Sequence, residues 1–282
     1  VRVYIEGVGL CGPGLPGWAA SRPALSGAVP YVPAPTVAPP SPLLPPNERR
    51  RSVQTVKLAL AVGAEAFAAA GQEPAGVATV FTSSSGDGTT IHDILEVLAS
   101  TTREISPTRF HNSVHNAPAG YWSIANRSHA PSSSIGCHDA SFAAGLLEAV
   151  VQAMVDERPV ALIAYDVPAP EPLNTARPIG AHFATALLLV PHPSDLSLAR
   201  LDLELPGQSA ASTMTCTALE ELRRGTPAAR SLPLLATLAR NTPETIVLDF
   251  VPGLSISLAL EPMSLAAAPQ DGHHDNPMNR TC

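Results

Sequence analysis

Cys137 is one of four cysteines in 282 residues, and the residues around it are those of a reactive turn. Ser132-Ser133-Ser134-Ile135 reads as a strand, Gly136 to Ala140 as a small-residue bend, and Ser141 to Ala149 as the start of a helix rich in alanine and leucine. A strand-to-helix turn that lifts one side chain above a helix N-terminus is the layout of a nucleophile elbow. The N-terminal end of a helix favours negative charge, so a thiolate suits such a position. The residues that follow the cysteine, His138 and Asp139, support the elbow. A second dense stretch lies upstream, where His111-Asn112 and His115-Asn116 repeat a His-Asn pair four residues apart. On one helix that spacing would place both imidazoles on one face, as in zinc sites of the HExxH type. The glutamate base is missing here, no third ligand is evident, and Pro118 argues against a helix through the pair. Hydrogen-bonded histidines and asparagines at a buried turn or interface are the expectation, with neither metal nor cofactor bound. If Cys137 does chemistry, its base comes from His138, His111 or His115. A histidine adjacent in sequence normally points elsewhere, which favours the loop pair. The thiol as nucleophile and the thiol as an inherited scaffold residue both remain open on these residues alone.

The elements that must position these groups follow from patterning. Val1 to Leu10 alternates as an opening strand with Gly7 and Gly9. Gly12 to Pro46 holds many of the 30 prolines and reads as an extended surface loop, either a solvated excursion or an arm that clasps a partner. A helix is expected from Arg50 to Ala70, with Val53, Val56, Leu60 and Ala64 on one face and Gly71 as its stop. Its leading Arg49-Arg50-Arg51 triplet is a solvated helix start or a patch for an acidic carrier. Val77 to Thr82 is a buried strand, and Thr89 or Thr90 can cap a helix from Ile91 to Ser100. The Ser83 to Gly88 loop between them lacks both GxxxxGK[ST] and GxGxxG spacing, so nucleotide binding is not expected. The elbow helix extends to about Glu157. Val160–Asp166 and Phe183–Val190 are apolar strands, and Leu196 to Leu205 alternates. Cys216 to Arg224 and Ser231 to Arg240 read as helices, and Ile246 to Phe250 and Leu254 to Leu260 as closing strands. One domain over residues 1–262 and a polar, disordered tail over 263–282 complete the reading. Alternating strands and helices imply a layered α/β domain.

Composition narrows the function classes. Net charge is −7, which offers no basic field for nucleic acid. No uninterrupted apolar run approaches the roughly 18 residues of a membrane span, and the first residues lack the pattern of a secretory signal. The cysteines form no CxxC pair and no disulfide framework, which points to free thiols in the cytoplasm.

With the elbow and the His-Asn loop in hand, the chain resembles the N-terminal half of a β-ketoacyl synthase, a thiolase-like α/β fold. It is similar to the short ketoacyl-synthase-like proteins of aryl polyene pigment clusters, which act as chain-length-factor-like partners of a full ketosynthase. The similarity is carried by Gly7 and Gly9, by Val80 to Asp87, by Ser106 to Gly120, and by Ser141 to Ala149. It implies that Cys137 falls at or near the position of the acyl-accepting cysteine. The Cys-Ser-Ser or Cys-Ala-Ser run of that family is replaced here by Cys137-His138-Asp139, and its HTGT-like and GH-like histidine segments are not found. The resemblance therefore implies a non-catalytic partner in fatty-acid or polyketide-type synthesis. That partner would form a heterodimer with a full-length ketosynthase and meet an acyl carrier protein. His111, Asn112, His115 and Asn116 match the loop that contacts the dimer partner. The alternative is a free-standing cysteine acyltransferase or thioesterase using Cys137.

Overall fold

The computed structural model describes residues 1–39 and 43–263. The expected tail therefore lies outside the described residues, apart from Met263. The chain opens with β1 (Arg2–Cys11), α1 (Trp18–Ser26), α2 (Pro46–Arg51), α3 (Gln54–Ala69), β2 (Ala78–Thr82), α4 (Gly88–Ala99), α5 (Pro107–Asn112) and α6 (Ala117–Asn126). The elbow region follows as β3 (Ser132–Ile135) and α7 (Ser141–Val155), then β4 (Val160–Asp166), α8 (Leu173–Ala176) and β5 (Phe183–Val190). The chain closes with β6 (Ala199–Gly207), α9 (Thr217–Gly225), α10 (Leu232–Arg240), β7 (Glu244–Val251) and β8 (Leu254–Pro262).

All the strands form one sheet in the order β3-β2-β4-β5-β1-β6-β8-β7. β2 runs parallel to β3 and β4, whereas β5 runs antiparallel to both β4 and β1. The C-terminal ends of β1, β2, β3 and β4 therefore open on one edge of the sheet, where loops of α/β proteins gather their chemistry. β4 and β5 are buried along their whole length, as their unbroken apolar sequences require. Alternate residues serve two cores. Phe81, Ala161, Ile163, Tyr165, Ala186 and Leu188 face α3 and α6, while Val80, Leu162, Ala164, Leu187 and Leu189 face α7 and the C-terminal elements.

Glycine sets how closely the helices lie on the sheet. A Cβ on Gly9 would sit 1.9 Å from the Val62 carbonyl oxygen in α3, and one on Gly145 of α7 would sit 2.7 Å from Thr82 Cγ2. The elbow helix thus rests directly on the strand that leads to the Ser83 loop.

Three expectations need correction. The 12–46 stretch is not extended throughout, because α1 forms within it. That helix has Pro23 inside it, ends on Gly27 in the left-handed region, and buries Ser21 and Leu25; the apolar contact with the core outweighs one lost N–H donor. The helix expected from Arg50 to Ala70 is two helices. Ser52 N–H closes α2 on Glu48, and Val53 is extended at φ −88°, ψ 173° before α3 begins. The helix after β2 starts earlier than expected, since Asp87 accepts from Thr90 N–H and is the cap.

Candidate functional site

The elbow forms as a short 3-10 turn, His138–Ala140, between β3 and α7. The strained residue is His138, at φ 49°, one position after Cys137. Ser141 ties the bend together: its hydroxyl accepts from Cys137 N–H at 2.9 Å and donates to the His138 carbonyl at 2.7 Å. Thr82 on β2 donates its hydroxyl to the Ser141 carbonyl at 2.8 Å, fixing the start of α7 to the sheet. Cys137 itself is half-buried and free.

Of the histidines that sequence placed near the thiol, His115 stays beside the elbow, where a Cβ on Gly136 would sit 3.5 Å from its Nε2, but each of the three is engaged elsewhere. His115 Nε2 lies 3.1 Å from the Ser83 carbonyl oxygen; a carbonyl only accepts, so Nε2–H donates. His111 is exposed on the end of α5 and meets Tyr121 edge-on, with ring centroids 5.8 Å apart. The His138 side chain is largely exposed, its Nδ1 3.6 Å from Asp139 Oδ1. Among the described residues, no histidine nitrogen hydrogen-bonds Cys137 Sγ.

Asn112 and Asn116 divide in the same way. Asn112 is buried, donates to the Arg51 carbonyl at 2.9 Å, and accepts from Tyr121 Oη at 3.1 Å, which docks α2 against α5 and α6. Asn116 precedes α6 without capping it through its side chain. With His115, Ala119, Gly120, Ser123, Ser132 and Ser134 it lines a polar groove of about 520 Å³ beside β3. Pro118 sits in the first turn of α6, so the His-Asn pairs do not share a helix, as its position implied.

Three charged groups that motif reading missed hold this edge of the sheet. Asp166, fully buried at the end of β4, accepts on Oδ1 from Ser83 Oγ (3.1 Å), Ser84 N–H (2.8 Å) and Ser84 Oγ (2.7 Å). Its Oδ2 accepts from Ala228 N–H at 2.8 Å. Burial pushes its pKa up, and the donors oppose that without offsetting it. Asp139 is gripped by Arg177 Nη2 at 2.7 Å on one oxygen and by Arg230 Nη2 at 3.0 Å on the other. Burial raises its pKa, but the Arg177 hydrogen bond and the charges of Arg230, Arg177 and His138 outweigh that, and the net shift is downward. An acid ending an all-apolar strand was the one local signal for Asp166. The arginines carry none, because they lie 38 and 91 residues from their partner. The described residues hold no cluster of three or more histidine, cysteine or acidic side chains able to bind a metal.

Residues 24–247 match the model of the β-ketoacyl synthase N-terminal domain. The chain belongs to that family. Solved structures agree on the fold. The ketosynthase ApeO in complex with its chain length factor ApeC, from Xenorhabdus doucetiae, contains a chain with a TM-score of 0.69 at 23% identity, covering 92% of this chain and 99% of that one. The ishigamide ketosynthase/chain length factor gives a TM-score of 0.65 at 12% identity over 94% of this chain and 100% of that one. A type II polyketide ketosynthase in complex with its acyl carrier protein, AntDE:AntF, gives 0.71 at 11% identity over 93% and 99%. No curated protein sequence is a significant match. The thiolase-like ketosynthase fold is therefore shown, and no helix among the described residues is long and apolar enough to cross a membrane.

Proposed function

We propose that this β-ketoacyl-synthase-like chain is a non-catalytic, chain-length-factor-like subunit that pairs with a full ketosynthase in aryl polyene-type synthesis. The observation that carries the reading is an elbow whose thiol, among the described residues, hydrogen-bonds to no histidine. His115 is committed to the Ser83 carbonyl, His111 packs on Tyr121, and His138 turns to Asp139 and solvent. A thiol whose neighbouring imidazole is bonded elsewhere lacks the base that activates an acyl acceptor.

The partner reading rests on the open edge of the sheet. Thr79 N–H bonds the Pro131 carbonyl and Ser83 N–H the Ile135 carbonyl, so by ladder alternation Ser132 and Ser134 turn their backbone groups outward. β3 bears no charge, proline or bulge to block pairing, unlike β7 at the other edge, where Glu244 and Asp249 stand and Ser212 bonds Val247. Ile91, Leu95 and Leu98 of α4, Phe110 of α5 and Val114 just after it are all more than a third exposed, an apolar face of the kind a partner covers. His115, Asn116, Ser132 and Ser134 line the groove between this edge and α6. Arg49, Arg50 and Arg51 on α2 suit an acidic carrier protein.

The test is reconstitution of condensing activity from the neighbouring ketosynthase, its carrier protein and this chain. Cys137→Ala is expected to support product formation at the wild-type rate. Loss of activity on that substitution, with binding retained, assigns the thiol a catalytic role and overturns the reading.

A further inference from the structure

The proline-rich stretch after α1 is held from one side. Residues 30–39 belong to neither helix nor strand. Tyr31 Oη donates to the Pro13 carbonyl at 2.6 Å, and the Tyr31 side chain packs against the core. Gly14 N–H donates to the Ala34 carbonyl at 2.9 Å, and a Cβ on Gly14 would sit 2.2 Å from the Val32 carbonyl oxygen. Further along, Thr36 Oγ1 donates to the His182 carbonyl at 2.8 Å, and Cys11 Sγ lies 3.7 Å from the Val37 carbonyl oxygen. These anchors stand at the end of β1, in the turn after it and just before β5. Both strands lie inside the sheet, away from the β3 edge.

The outer side carries apolar groups. Val29, Val32 and Val37 are 48%, 70% and 76% exposed, and Pro30, Pro33 and Pro35 are exposed with them. Proline fixes φ near −65°, and the residue before a proline is confined to extended backbone. Within residues 29–35 only Tyr31 escapes both restrictions, and its side chain is pinned at Pro13. The segment is therefore an extended ridge of the polyproline type, with its conformation set before anything binds it. That geometry repeats every three residues, so Val29-Pro30 and Val32-Pro33 share one side of the ridge while Tyr31 between them serves the core. No charged residue occurs in residues 27–46, so this ridge recognises by shape and apolar contact. Two apolar–proline pairs one turn apart are the ligand that aromatic-lined grooves take.

We propose that residues 29–33 are a docking ligand, and that the partner is a protein with an aromatic-lined groove that receives the Val29-Pro30 and Val32-Pro33 pairs. The anchors on the inner side hold the ligand extended, so little ordering is left to be done on binding. The site lies apart from the β3 edge and works whether or not the chain pairs with a ketosynthase.

The probes are an isotopically labelled SH3 domain and a labelled WW domain, whose grooves are lined by aromatic rings. Each is titrated with the full chain and followed by its amide chemical shifts. Saturable shifts confined to the groove of at least one domain are expected. Val32→Asp, at a largely exposed position that the fold does not need, is expected to weaken that binding about tenfold or more. Val155→Asp on α7, where the valine is 74% exposed, is the control and is expected to bind as wild type does. Absence of binding to both domains overturns the proposal, as does a Val32→Asp variant that binds as tightly as wild type. A Val155→Asp variant weakened as much as Val32→Asp also overturns it, because the contact is then general apolar adhesion.

Discussion

Replacing Asp166 tests whether one buried carboxylate organises the functional edge of the sheet. From the end of β4 it collects four donors from two places, the Ser83-Ser84 loop after β2 and the turn before α10. In Asp166→Ala the Ser84 and Ala228 N–H groups lose their acceptor in a buried setting, at about 1–3 kcal/mol each. The hydroxyls of Ser83 and Ser84 can rotate to other acceptors, so the expected total is about 2–6 kcal/mol. Asp166→Asn keeps an oxygen for the Ser83-Ser84 side and presents its NH₂ to the Ala228 N–H, a cost of about 1–3 kcal/mol for that one bond. Urea denaturation followed by circular dichroism reads these values, and a melting temperature lowered by roughly 5 °C or more accompanies the alanine variant. The pH dependence has a defined sign. Burial raises the folded-state pKa of Asp166, so its contribution is fully present below the unfolded value of about 4 and is lost as pH rises through the folded value. The gap between wild type and Asp166→Asn is therefore widest in acid and narrows as pH rises. An asparagine variant within about 0.5 kcal/mol of wild type at every pH would refute the argument that this carboxylate is the joint.

Other substitutions follow from the same geometry. Gly9→Ala places a Cβ against the Val62 carbonyl of α3 at 1.9 Å; backbone cannot yield as a side chain can, and a loss of about 3 kcal/mol or insoluble expression is expected. Burial pushes the Cys11 thiol up to about 11, so at pH 8 Cys11 is expected to resist alkylation in the native protein while Cys137 labels, as peptide mapping will show. Asp139 has the opposite sign to Asp166. Its folded pKa is lowered, so its contribution is present above the unfolded value and is lost as pH falls toward the folded one. Asp139→Asn is expected to be less stable than wild type at neutral pH, and the two denaturation curves to converge as pH falls through the lowered folded value.

Sequence patterning reached the strands where burial is uniform: β4 and β5 span the residues that their apolar runs marked out, Val160–Asp166 and Phe183–Val190. It failed at α1, where the density of proline hid a short helix stabilised by its packing on the core. The elbow was legible as strand, bend and helix because local residue types dictate each piece. The strained position was not, since backbone dihedrals place it at His138 and no residue type announced it. The partners of the site groups were illegible for a different reason. Asp139 meets Arg177 and Arg230, and Asp166 meets Ser84 and Ala228, across sequence separations that only the sheet order brings together. His115 illustrates both limits: its type suggested a base for Cys137, and tertiary structure gave it to the Ser83 carbonyl instead.

The central claim is that this chain pairs through β3 with a full ketosynthase. Its most direct test is the mass of the purified assembly, measured by light scattering after co-expression of the two proteins. Wild type and Cys137→Ala are both expected to give a stable one-to-one heterodimer. Ser134→Pro, which removes an outward N–H from the open edge while leaving the β2 ladder intact, is expected to give separate proteins. A wild-type chain that stays monomeric beside its ketosynthase, or a Ser134→Pro variant that pairs as tightly as wild type, contradicts the account.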